Sequence, residues 1–123
     1  MVKSLLMVGL GGGIGSILRY LTAMAVFKYF PSKFPLATFA VNILGCFLIG
    51  LLSGFFEKNS LAGPGLKLLF ATGFCGGYTT FSAFGYESTR LFQSNASFLA
   101  FAYIGASLFC GILAVWLGLF VAK

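Results

Sequence analysis

The chain has 123 residues, of which 59% are hydrophobic and only 8% charged, and its mean hydropathy is +1.02. A soluble domain carries about 25% charged residues, so this chain lacks the charge to coat a water-facing surface and its solvent is lipid. The net charge is +6, there is no His or Asp, and the only carboxylates are Glu57 and Glu87, which excludes Ser-His-Asp chemistry, histidine metal sites and most paired-carboxylate catalysis.

A membrane-crossing helix needs about 20 apolar residues, because the hydrocarbon layer is roughly 30 Å thick and each residue rises about 1.5 Å. Four such stretches are visible, at about 4–27, 36–56, 66–92 and 97–121. They predict an all-α membrane protein: residues 1–123 form a single four-helix transmembrane domain, with short connections that make neighbouring helices antiparallel.

The first span carries the glycine pairs Gly9/Gly13 and Gly11/Gly15, a four-residue spacing repeated by Gly50/Gly54 in the second. In lipid, helices associate through close backbone contact, which small residues permit. Lys3, an apolar run and Ala23-Met24-Ala25 faintly resemble a secretory leader. Arg19 interrupts that run and three more spans follow, so the segment is read as a span. The loop 28–35 holds Lys28, Lys33, Pro31 and Pro35. In the second span Thr38 and Asn42, four apart, share one face. Asn42 offers two N–H donors and one acceptor, suited either to joining helices or to meeting an ion. The span stops at Glu57-Lys58-Asn59, and the loop 57–65 ends in Gly63-Pro64-Gly65.

The third stretch contains Gly76-Gly77-Tyr78-Thr79-Thr80 in its middle. Two adjacent glycines and two β-branched threonines disfavour a continuous helix, which predicts an interruption over residues 76–80. Unwound backbone in lipid costs several kcal/mol per unpaired group unless protein, water or an ion satisfies it, and discontinuous helices mark ion sites in transporters. Phe81, Ser82 and Phe84 follow. Their rings read as packing or, through the positive ring edge, as anion contacts. Glu87 lies deep enough to need a partner or water. After Gln93-Ser94-Asn95 the fourth span carries Tyr103 and Ser107 on one face, with Trp116 as an interface anchor. Cys46, Cys75 and Cys110, widely spaced in apolar runs, read as free buried thiols.

The eight basic residues are scattered singly, which gives no phosphate-tracking cluster and no nucleic-acid partner. With four spans, Lys3, Lys58, Lys67 and Lys123 fall on one side and Lys28, Lys33 and Arg90 on the other. The positive-inside rule needs a clear excess on one side. A near tie predicts insertion both ways and pairing of opposed copies, as in inverted-repeat transporters.

Gly11-Gly12-Gly13-Ile14-Gly15-Ser16 with Arg19-Tyr20, then Asn42 with Gly45, then residues 73–84 (GFCGGYTTFSAF), resemble the small fluoride channels of the Fluc/CrcB family over the whole chain. The resemblance implies an antiparallel, dual-topology homodimer with two pores in the inner (plasma) membrane, exporting fluoride passively and giving fluoride resistance. It implies that Phe81 and Phe84 line the fluoride path with their ring edges and that Asn42 donates to the ion. Thr38, Glu87, Tyr103 and Ser107 would form a polar track beyond the rings, with Thr80 and Ser82 beside them. Gly76 and Thr79 would offer backbone carbonyls to a structural Na+ at the dimer axis, and Arg19 would sit near the vestibule. The sequence departs from the family pattern at Ala83, which lacks a hydroxyl, and at Gly111, which offers no side chain one turn beyond Ser107. A multidrug antiporter of the same size would need an acidic residue in the first span, where this chain has Arg19. A non-transporting assembly subunit would not account for the third stretch.

Overall fold

The computed structural model describes residues 1–59 and 63–123, so the loop expected at 57–65 lies partly outside the described residues. All regular structure among the described residues is helical. Helix α1 spans Val2–Tyr29 and α2 spans Leu36–Lys58. Helix α3 covers residues 64–78 in three continuous pieces, Pro64–Lys67, π-helical Leu68–Cys75 and Gly76–Tyr78. Helices α4 (Phe81–Gln93) and α5 (Ser97–Val121) complete the chain. Helices α1, α2 and α5 are each long and apolar enough to cross a membrane, and the chain is a multi-pass membrane protein.

Punctuation follows local chemistry. Pro35 precedes α2, and Pro64 sits at the first position of α3, where its missing N–H costs nothing. Helix α4 ends at a turn in which Asn95 takes φ 61°, a left-handed conformation Asn tolerates.

Two helix pairs make the body. α1 lies along the π-helical part of α3, and α2 lies along α5, with α4 packed on α5. Both pairs rest on glycine. A Cβ on Gly11 would strike the carbonyl of Leu69, and one on Gly15 the carbonyl of Phe74. Across the other pair, a Cβ on Gly118 would strike the carbonyl of Phe47. These are backbone-to-backbone approaches of the kind small residues allow in lipid. The expected stripe at Gly11 and Gly15 is therefore a packing seam, whereas Gly9 and Gly13 face open space. A small core of Leu91, Ala100 and Tyr103 closes over Phe34, Phe39 and Phe84.

The π-helical turn was not legible in the sequence. Such turns are rare and gather at functional sites. Here it ends at Cys75, directly before the glycines expected to unwind.

Those glycines do not unwind. Gly76 has φ −63° and ψ −38°, within the right-handed helical range. The extended residues are Thr79 (φ −88°, ψ 159°) and Thr80 (φ −150°, ψ 124°). The physical reason is contact with α1. A Cβ on Gly77 would meet the carbonyl oxygen of Gly12, so this glycine serves close approach rather than flexibility. Threonine, stiff at χ1, takes the extended backbone readily.

Candidate functional site

The two threonines divide the labour of ending one helix and starting the next. Thr79 donates its backbone N–H to the carbonyl of Cys75 at 3.0 Å and its hydroxyl to the same oxygen at 2.9 Å. Thr80 is the N-cap of α4, its Oγ1 accepting from the N–H of Ala83 at 3.2 Å.

An extended dipeptide between two helices needs partners for its peptide groups, and Asn42 on α2 supplies two. Its Nδ2 donates to the Thr80 carbonyl at 3.0 Å, and its Oδ1 accepts the Thr80 N–H at 2.8 Å. Asn42 thus joins helices, one of the two roles open from sequence, and one N–H of its amide is not used in this pair. From the other side, Arg19 Nε donates to the Gly77 carbonyl at 3.1 Å. Thr22 and Tyr78 share a hydrogen bond at 3.1 Å between hydroxyls. Among the described residues the carbonyls of Gly76 and Thr79 receive none of these bonds.

Most of the remaining residues line two clefts that share Thr80, while Tyr103 lines neither. The first, of about 470 Å³, is lined by Asn42, Gly76, Thr79, Thr80, Phe81, Phe84 and Ser107 among others. The second, of about 380 Å³, is lined by Arg19, Thr38, Thr80, Tyr86 and Glu87 among others. In the second, Thr38 donates its hydroxyl to Glu87 Oε1 at 2.5 Å, which spends the only O–H that Thr38 has and gives Glu87 the partner that its depth demands.

The rings of Phe81 and Phe84 lie 5.7 Å apart at 49°. Phe81 is 80% exposed, while Phe84 leans on Tyr103, with ring centroids 5.1 Å apart. Tyr103 is fully buried, and neither its hydroxyl nor that of Ser107 has a hydrogen-bond partner among the described residues. Ser82 lines neither cleft, and its hydroxyl lies 3.2 Å from that of Thr80. Gly111, where a track hydroxyl is missing, faces Cys46.

Sequence reasoning missed Thr22, Tyr78 and Tyr86. Thr22 and Tyr86 carried no motif, and Tyr78 stood only as part of the interrupted stretch.

The fold and these clefts define a class: a small multi-pass membrane protein whose apolar body encloses hydrogen-bonding groups around an extended peptide. Residues 6–119 match the family model described as CrcB-like protein, Camphor Resistance (CrcB). A protein of Flavobacterium psychrophilum is 52% identical over 122 residues, covering 99% of this chain and 98% of that one. One from Gloeothece citriformis is 48% identical over 97% and 96% of the two chains, and one from Phocaeicola vulgatus 43% identical over 99% and 100%. Each of the three bears the name fluoride-specific ion channel FluC. The chain belongs to the CrcB family.

Proposed function

We propose that this protein is a fluoride-specific ion channel of the inner (plasma) membrane. It assembles as an antiparallel, dual-topology homodimer with two pores and lets cytoplasmic fluoride leave passively, which confers fluoride resistance. The names of its full-length relatives support the fluoride reading. One structural observation carries it to particular atoms: the hydroxyls of Tyr103 and Ser107 are buried with no hydrogen-bond partner among the described residues. A buried donor left unmet costs about 1–3 kcal/mol, and an anion in the path meets it.

Fluoride is small and strongly hydrated, so a pore must replace its water with donors while holding it loosely enough to release it. Asn42 has an amide N–H to spare, and Tyr103 and Ser107 have hydroxyls. None is a fixed positive charge. Phe81 and Phe84 flank the first cleft and offer ring edges, whose positive rim favours an anion. The second cleft, with Arg19, Thr38 and Glu87, serves as the vestibule side of the path. Thr80, common to both clefts, marks where they meet. The interruption at Thr79 and Thr80 lies at mid-bilayer in this reading.

A structural Na+ fits the carbonyls of Gly76 and Thr79. Both residues line the first cleft, and their oxygens are the hard donors such a cation selects. The neighbouring carbonyls of Cys75, Gly77 and Thr80 are already engaged. These carbonyls would hold the cation, whose charge would offset dipoles that lipid cannot solvate.

The test is efflux from liposomes holding the purified protein. Fluoride should pass, chloride should be rejected, and no proton gradient should be needed. Proton-coupled efflux of an organic cation, or no flux of any ion, overturns the proposal.

A further inference from the structure

We infer that Arg19 is a positioning residue for the extended peptide, acting through its Nε–H on the Gly77 carbonyl rather than through its charge on the ion. The inference goes beyond the channel reading in the role it gives this residue, and rests on that reading only for its flux measurement. Gly11, Gly15, Arg19 and Thr22 recur at spacings of four, four and three, so they form one stripe along α1. Each member of the stripe meets α3. The two glycines bring α1 onto the backbone at Leu69 and Phe74. Arg19 then reaches Gly77, and Thr22 reaches the hydroxyl of Tyr78. The seam thus ends in two polar contacts to the last residues before the extended threonines.

The Gly77 carbonyl needs such a partner. In a continuous helix it would accept from the N–H of residue 81, four places on. With Thr79 and Thr80 extended that bond is lost, and the Arg19 N–H replaces it. Asn42 does the same for Thr80 from the opposite side. The extended dipeptide is therefore held between an α1 donor and an α2 amide. With Gly77 occupied, the carbonyls of Gly76 and Thr79, two residues that line the first cleft, receive no such bond among the described residues.

The side-chain geometry of the amino acids provides a clean test. Gln places its amide nitrogen the same number of bonds from Cα as Arg places Nε, so Arg19→Gln keeps a donor there and loses the charge. Lys has a methylene at that position, so Arg19→Lys keeps the charge and loses the donor. Arg19→Met has neither. All four proteins are purified in detergent and as proteoliposomes, and their melting temperatures and fluoride efflux rates are compared. Expected is an efflux rate for Arg19→Gln within about threefold of wild type. Arg19→Lys and Arg19→Met should fall at least about tenfold, the loss expected when the Gly77 carbonyl is left without its donor. Melting temperatures should follow the same order, with Gln above Lys. Lys equal to or better than Gln in melting overturns the inference and returns Arg19 to an electrostatic role. A wild type without fluoride efflux sinks the channel proposal, but the melting order still decides the role of Arg19 independently.

Discussion

Asn42 shows how one side chain carries several demands. Its amide closes both hydrogen-bonding groups of Thr80 and leaves one N–H outside that pair, on a residue that lines the first cleft. Tyr103 and Ser107 are the opposite case, since their hydroxyls have no hydrogen-bond partner among the described residues. That difference predicts different outcomes. Tyr103→Phe and Ser107→Ala should leave melting within about 0.5 kcal/mol of wild type, as changes that break no native bond do, yet cut fluoride efflux at least about tenfold. Normal efflux in both would detach these hydroxyls from the path. The rings come next. Phe81→Ile and Phe84→Ile should abolish efflux while the dimer still assembles, as read by cross-linking in detergent. Undiminished flux in both would remove the rings from the pore.

At the scale of the element, the point of interest is how α3 hands over to α4. Helix α4 has 13 residues, or about 20 Å at 1.5 Å per residue. That is less than the roughly 30 Å hydrocarbon layer, so in the proposed channel a third crossing would take both halves and the extended threonines between them. The handover depends on a cap and on a close approach. Thr80→Val removes the hydroxyl that accepts from Ala83 and should cost about 1 kcal/mol. Gly77→Ala forces a methyl against the Gly12 carbonyl and should cost about 1–3 kcal/mol, the range for overpacking. Thermal melting of the purified protein checks both. A Gly77→Ala protein as stable as wild type would show that α1 can retreat and that the seam is loose.

At the scale of the whole molecule, the chain leaves a great deal of apolar surface uncovered. Trp116 is 74% exposed and Phe98 87%, and Phe81 projects beside the first cleft. Lipid covers much of this, and in the proposed dimer a second, inverted copy covers the cleft face. Seven flanking charges divided four against three predict that insertion is nearly unbiased. Accessibility labelling of a single introduced terminal cysteine, in a background without Cys46, Cys75 and Cys110, should find the terminus on both sides of the membrane in comparable amounts. Adding two lysines at one loop should drive the population to one orientation and reduce dimer yield. One-sided labelling of the unmodified charge pattern would count against dual topology.

The membrane class, the positions of three long helices and most of the polar residues worth following were readable from sequence, though Thr22, Tyr78 and Tyr86 were not. They rest on hydropathy and on side-chain chemistry, which are local properties. The handover could be located only to within a few residues. Propensity pointed at Gly76 and Gly77, which are helical, and the extended pair is Thr79 and Thr80. Two bonds decide this across large separations, Asn42 to Thr80 over 38 residues and Arg19 to Gly77 over 58. The π-helical turn at Leu68–Cys75 likewise leaves no mark in composition. Sequence alone determined that the chain lives in lipid and carries donors there, because those facts are sums over residues. Which backbone groups lose their helical partners, and which side chains replace them, was decided only when α1 and α2 came to lie on either side of α3. An unpaired peptide group in lipid is costly enough to be settled by whichever donor the packing brings within about 3 Å.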